Sequence, residues 1–296
     1  MKDTFSDYHP IINFIYFTQV LAYSMFFTHP ICLGISLISA LSYSIYLNGR
    51  KALYFNLKFM LPMVLVTALL NPIFNHEGVT ILTYLWDGNP LTLESIIYGL
   101  AAAIMLVTII SWFSCYNTVM TSDKFVYIFG RIIPGMSLVL SMTLRFVPRF
   151  KRQLKIVVDG QAGIGFNTAK KGLIQKVKHS IKILFIMISW ALENAIETAD
   201  SMRSRGYGLR GRTAYSIYNF DRRDKRFLAF LLASGGYILL GALMGALRWR
   251  YFPTMRGVGL QAFSLSLYLS YLGLSLSPMV INLKEDWKWR VIESKI

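Results

Sequence analysis

Acidic side chains are scarce in this chain, and scarcest where it is most apolar. Only 15 of its 296 residues are Asp or Glu, against 31 Lys or Arg. The apolar blocks at 11–27, 31–47, 57–74, 95–116, 227–247 and 260–281 contain no carboxylate. A proton- or ion-coupled carrier needs an ionisable group within its spans. A self-sufficient secondary transporter is therefore disfavoured, as is an intramembrane protease or transferase. Cysteine is almost missing: Cys32 and Cys115 lie within or beside apolar blocks, giving neither a disulfide framework nor a CxxC metal site. His9, His29, His76 and His179 are scattered, so no metal site is expected. The motifs GxxxxGK[ST], GxSxG and HExxH and a glycine-rich dinucleotide turn are all lacking, which removes the usual nucleotide, hydrolase and metalloprotease chemistries. No catalytic residue and no cofactor is expected. If the chain takes part in energetic work, a partner supplies the energy.

What is present is apolar. Charged residues make up 16% of the chain, where a soluble domain carries about a quarter. Hydrophobic residues reach 54% and the mean hydropathy is +0.46. The apolar residues run in blocks of membrane-spanning length. The expected fold class is an all-α integral membrane protein with about six transmembrane helices. The N-terminal ten residues are polar and no small-x-small exit follows the first block, so that block is expected to stay as the first span. Pro30 makes the first two blocks a tight hairpin or one broken element. Pro62 and Pro72 are expected kinks in the third.

Charge sets the sidedness. Residues 117–226 hold 20 Lys/Arg and 7 Asp/Glu, a surplus of +13 (20 − 7). A basic stretch between long apolar blocks reads as cytoplasmic by the positive-inside rule, as does the loop with Arg50, Lys51 and Lys58. Residues 75–94 hold Glu77, Asp87 and Glu94 and no base, so this loop is expected outside, with "DGNP" as its turn and "VTILTYL" as a short strand or interfacial segment. Both termini then lie inside. Arg248, Arg250 and Arg256 disagree, since they fall on the outer side.

Three domains follow: 1–116 with the N-terminal spans, 117–226 as a cytoplasmic or interfacial region of crossing helices, and 227–296 with the C-terminal spans. Within the middle region, 125–148 is expected as a helix lying in the membrane surface, and 145–159 as the start of a basic amphipathic helix. Ile181–Leu192 is too short an apolar run to span, and 176–205 reads as one long helix, apolar in its first half. Ala191, Ala195 and Ala199 recur every four residues along it, a small-residue stripe that lets another helix cross closely. Glu193 and Glu197 lie on a neighbouring, solvated face, and Asp200 is spaced to pair with Arg203. Gly206 fits the cap after the helix. Arg205 at that end complements the helix dipole or presents a guanidinium to a partner's acidic pocket. Arg203, Arg210 and Arg212 read as rim charges.

Four stretches carry a resemblance: "HP" beside the first spans, "NPIFNHEGVTIL" at 71–82, "MTSDKFVYIFGRIIPGMSLVLSMTLRFVPRFKRQ" at 120–153 and, most specifically, "ADSMRSRGYG" at 199–208. Together they resemble the transmembrane T component of energy-coupling factor (ECF) transporters, the CbiQ-like family, over nearly the whole chain. The resemblance implies a multi-pass protein of a bacterial-type cell membrane. It implies two ATP-binding cassette ATPase subunits and a membrane-embedded substrate-binding S component as partners within the lipid bilayer, and no nucleic acid. The S component would choose the vitamin or metal ion, cobalt among them. Ser204, Arg205 and Gly206 match the signature that ends a coupling helix on one ATPase.

A second such signature is expected some forty residues earlier. There the chain has "DGQAGIGFN" at 159–167, and Gly163, Ile164 and Gly165 stand where an arginine signature would. One ATPase contact is then apolar or lost. Two other readings stay open: a glycine-rich turn between helices, or a shifted register in which Arg152 or Lys155 supplies the charge. A stand-alone membrane permease or channel is the alternative function. A lipid- or phosphate-binding enzyme using Asp159, His179 or Glu193 finds no support in their spacing.

Overall fold

The computed structural model describes residues 3–50, 54, 56–84, 88–132, 134–164, 172–209, 218–257, 259 and 261–294. Lipid offers no partner for a bare N–H or C=O, so a spanning backbone must bond to itself. The chain does this with helices α1 (Pro10–Phe26), α2 (Pro30–Asn48), α3 (Leu61–Phe74), α4 (Leu93–Val119), α5 (Ser122–Ile132), α6 (Pro134–Gly163), α7 (Leu173–Ser204), α8 (Arg222–Leu243) and α9 (Ala262–Glu293). A π-helical turn, Asn56–Met60, leads into α3. Pro62, which cannot donate, falls in the first turn of α3, where no donor is needed.

The two His-Pro sequences do the same work twice. His9 caps α1 and His29 caps α2; each Nδ1 accepts from the backbone N–H two residues on, Ile11 and Ile31, both at 3.3 Å. Each histidine is followed by a proline at the start of its helix. Pro30 thus begins a second helix rather than bending a single one.

Contacts divide the chain into two units, Met1–Phe125 with Tyr218–Ile296, and Val126–Ile217. In the first, polar side chains on α1, α2 and α4 meet in the core. Trp112 Nε1 donates to Ser36 Oγ at 3.1 Å, which lies 2.7 Å from Ser24 Oγ. Tyr16 and Tyr23 on α1 donate to the carbonyls of Ser275 on α9 and Gly235 on α8 at 2.9 and 2.8 Å. One end of this unit gathers Thr28, Tyr251 and Tyr98: Tyr251 donates to the Thr28 carbonyl at 2.8 Å and its ring meets Tyr98 at 5.4 Å. The opposite end gathers Ser6, Lys124, Phe227 and Asn282. These contacts fit the alternating path that the charge pattern predicts for α1, α2, α4, α8 and α9.

The outer loop folds as a short antiparallel pair, β1 (Ile81–Tyr84) on β2 (Pro90–Thr92). Glu94, at the start of α4 and buried, pins it by accepting from Thr80 N and from Thr80 Oγ1, the latter at 2.8 Å. A second pair, β3 (Trp249–Arg250) on β4 (Arg256–Gly257), follows α8.

Among the described residues, five helices are long and apolar enough to cross a membrane: α2, α4, α7, α8 and α9. Four coincide with predicted blocks. The first and third blocks give shorter apolar helices, Pro10–Phe26 and Lys58–Phe74, each of 17 residues, at the lower limit for a span. The fifth, α7, is the one long helix read over 176–205 and runs for 32 residues. By length and composition that whole helix is a candidate span, although its apolar run 181–192 alone is too short. Every described residue of 125–148 is helical, in α5 to Ile132 and in α6 from Pro134. Residues 145–159 are then the interior of α6, which carries Pro148 within it.

Candidate functional site

The second unit is an α6–α7 pair whose helix ends carry the predicted site residues. Phe150 on α6 meets Trp190 on α7 edge-on, with centroids 5.3 Å apart, and the Arg149 guanidinium lies over the same indole at 5.5 Å. An aromatic pair with a stacked guanidinium is a defined attachment point between helices. Beside it runs an apolar cleft of about 700 Å³ lined by Phe146, Val147 and Leu154 from α6 and Ile183, Leu184 and Met187 from α7. No residue of α7 is buried.

The stop of α7 is well defined. Gly206 N donates to Arg203 O at 2.9 Å and Tyr207 N to Met202 O at 3.0 Å. This crossed pair is a Schellman cap, which needs a left-handed residue at its turn. Gly206 supplies it with φ +76°. Arg205 is the last residue before that turn, with φ −82° and ψ 7°. It is exposed, and its N–H donates back to Ser201 O at 3.3 Å. Ser204 is exposed and its hydroxyl donates to Ser201 O at 2.9 Å. The arginine is thus displayed at a fixed position where the helix ends, without an ion pair among the described residues.

At the other tip, α6 ends at Gly163, and Ile164 N donates to Gly160 O at 3.3 Å. Ile164 is 72% exposed, a large apolar side chain left in the open. Gly165 lies outside the described residues, as do Arg210 and Arg212. Arg152 and Lys155 are exposed mid-helix on α6, away from the tip. The alanine stripe is uneven: Ala191 is half-buried while Ala195 and Ala199 are exposed. Glu193 and Glu197 are exposed as expected. The Asp200–Arg203 pair does not form; the ion pair among the described residues is Lys288–Glu285, at 2.8 Å.

No family model matches the chain. Curated relatives do. A protein of Lactobacillus helveticus described as energy-coupling factor transporter transmembrane protein EcfT is 33% identical over 114 residues, which are 38% of this chain and 41% of the relative. Those of Streptococcus equi subsp. equi and Listeria monocytogenes, the latter described as EcfT 1, are 27% and 24% identical over 226 residues, 71% of this chain and 77% and 78% of theirs. The match thus spans about two fifths of the first relative and about three quarters of the others. Over 71% of its length the chain is thus similar to energy-coupling factor transporter transmembrane proteins. It is a multi-pass protein of the bacterial membrane.

One feature of this chain was not foreseen from its sequence. Residues 3–8, read as a polar lead, form three successive turns, with Ser6, Asp7 and Tyr8 N–H groups bonded three residues back. They bury Phe5 among Tyr16, Tyr43 and Phe227. Lys124 holds them from α5: its ammonium donates to Ser6 O at 2.5 Å, Ser6 Oγ at 2.8 Å and Val119 O at 2.9 Å. Asn282 holds them from α9, accepting from Phe5 N at 3.0 Å and donating to Asp3 Oδ1 at 2.6 Å. Arg223 on α8 stacks over Tyr8 at 4.2 Å. Burial holds the Lys124 ammonium below its ordinary pKa, and the Asp3 and Asp7 carboxylates oppose that shift. Burial raises the Asp3 carboxyl, against its hydrogen bonds from Asn282 and Tyr43. The available signal was Phe5 and Tyr8, two aromatics three apart in a polar run.

Proposed function

We propose that the chain is the coupling subunit of an ECF-type importer, with no catalytic activity of its own. It would pass the ATP-driven motion of two ATP-binding cassette subunits to a membrane-embedded S component that carries the substrate, a vitamin or a metal ion. Residues 117–226 would be the coupling region, flanked by membrane domains 1–116 and 227–296. Ser204, Arg205 and Gly206 would meet one ATPase, and Gly163, Ile164 and Gly165 the other. Ala191, Ala195 and Ala199 would be where a second helix crosses.

The observation that carries this reading is Arg205: exposed, free of an ion pair among the described residues, and fixed at a Schellman stop. The stop fixes the backbone from which the guanidinium projects, and a guanidinium suits a bidentate carboxylate. The relatives' description as energy-coupling factor transporter proteins supports the same reading.

Co-expression with the two ATPases and an S component tests it. Arg205→Glu should lower ATPase co-purification and ATP-driven uptake together, with Arg205→Lys between the two. If the charge reversal leaves assembly and uptake at the parent level, the proposal fails. Uptake by the purified chain alone in liposomes would favour a stand-alone permease instead.

A further inference from the structure

Three arginines after α8 run against the charge pattern of the rest of the chain. Arg248, Arg250 and Arg256 belong to the end of the first unit that also carries Thr28 and Tyr98. The positive-inside rule leaves few bases there. No Asp or Glu occurs between Leu243 and Glu285. All three arginines are exposed, and none has an ion pair among the described residues. Arg250 faces Arg256 directly across the β3–β4 ladder. Like charges in that relation repel. The register is fixed by the neighbouring pair, in which the Trp249 ring lies against the bare Cα of Gly257, where any Cβ would collide with it. Two guanidinium-bearing residues are therefore held side by side, with no ion pair among the described residues to neutralise them.

Next to this hairpin, a groove of about 590 Å³ runs between the ends of α1 and α8. Ala22, Phe26, Leu239 and Leu243 line it, with Arg248 and Trp249 where the helices end. Trp249 Nε1 is buried and has no acceptor among the described residues. A groove apolar along the helices and cationic at the helix ends is complementary to an anionic amphiphile.

We propose that it holds one anionic phospholipid from the leaflet at this end. The acyl chain lies along Ala22, Phe26 and Leu239. The phosphate is shared by Arg248, Arg250 and Arg256. An ester oxygen of the same lipid is the class of acceptor that Trp249 Nε1 needs. The neutralising charge resolves the Arg250–Arg256 opposition and accounts for bases on the side that otherwise has few.

The test uses the full chain, purified in detergent, with native mass spectrometry to count bound lipid after exposure to phosphatidylglycerol or phosphatidylcholine. The parent chain should retain phosphatidylglycerol preferentially and gain thermal stability from it. The double variant Arg250→Gln/Arg256→Gln removes two cations from the headgroup and should cut the preference roughly tenfold or more. Ala22→Phe narrows the apolar half and should reduce retention of phosphatidylglycerol while leaving the arginines in place. Unfolding midpoints in phosphatidylcholine alone show that both variants fold. No preference in the parent, a preference that survives both changes, or a thermal gain reproduced by inorganic phosphate would each overturn the proposal. Loss of S-component assembly in the double variant with lipid retention unchanged would also overturn it, and would assign the arginines to a protein partner.

Discussion

Phe150 and Trp190 meet at matched positions on their helices. Ile164 follows Phe150 by fourteen residues, and Arg205 follows Trp190 by fifteen. At 1.5 Å per helical residue, both tips lie roughly 21 Å beyond the ring contact. We propose from this similar reach that Ile164, rather than Arg152 or Lys155, is the counterpart of Arg205.

Ile164→Arg follows from that match. The residue is 72% exposed, so the change should alter stability by no more than about 0.5 kcal/mol. If both tips dock on acidic grooves, the variant should hold its ATPases to a higher salt concentration than the parent in pull-down. Unchanged salt tolerance would remove the Ile164 tip from the ATPase contact.

Gly206→Ala puts a Cβ at φ +76° and within 2.9 Å of Leu209 Cδ1. The left-handed conformation costs an L-residue roughly 1–2 kcal/mol. The cap should open, and exchange of the Gly206 and Tyr207 amides, measured by hydrogen–deuterium exchange, should speed up severalfold. The body of α7 should be unaffected. Protection equal to the parent's would show that the cap does not need glycine.

Lys124→Met leaves the Ser6 and Val119 carbonyls without their donor in a buried place. An unsatisfied buried polar group costs roughly 1–3 kcal/mol, and thermal unfolding should register that loss. Limited proteolysis should cut first within residues 3–9. Lys124→Arg should recover part of the loss, because the charge and donors remain.

His29 makes stability depend on mild acid. Its Nδ1 accepts the Ile31 N–H and its Nε2 lies 3.0 Å from the Tyr268 hydroxyl, so the capping form is the neutral one. Burial lowers its pKa below 6.5. The unfolded chain therefore takes up the proton first. Stability is fully present above pH 6.5 and falls as pH drops through the window below it. Thermal midpoints between pH 7.5 and 5 should decline in the parent and decline less in His29→Gln. Equal slopes would assign the acid sensitivity elsewhere.

Much of this was legible because helices in membranes leave a one-dimensional record. The apolar blocks became α1, α2, α3, α4, α8 and α9, the run 176–205 became α7, and Gly206 capped it. Local chemistry decides such features, and local chemistry is written in order along the chain. The helix start expected at 145 was misplaced: α6 begins at Pro134 and runs through 145–159 with Pro148 inside it. The roles of His9 and His29 were hidden because histidine is an uncommon cap, although Pro-Ile after both was a shared sign. Lys124 on Ser6, Asn282 on Phe5 and Arg250 opposite Arg256 join residues distant in sequence or fixed by register, and a single sequence does not record such pairings.

The anchoring of residues 3–8 has a mechanical consequence. Lys124 marks where the chain leaves the first unit for Val126–Ile217, and Arg223 and Phe227 mark where it returns. Both junctions grip the same short segment, through Ser6 on one side and Tyr8 on the other. A pull delivered along the chain at either junction converges on one clasp of six residues, whose other end is tied by Asn282 to α9. Departure and return are thus buckled together, and tension at one is felt at the other before it reaches the rest of the bundle.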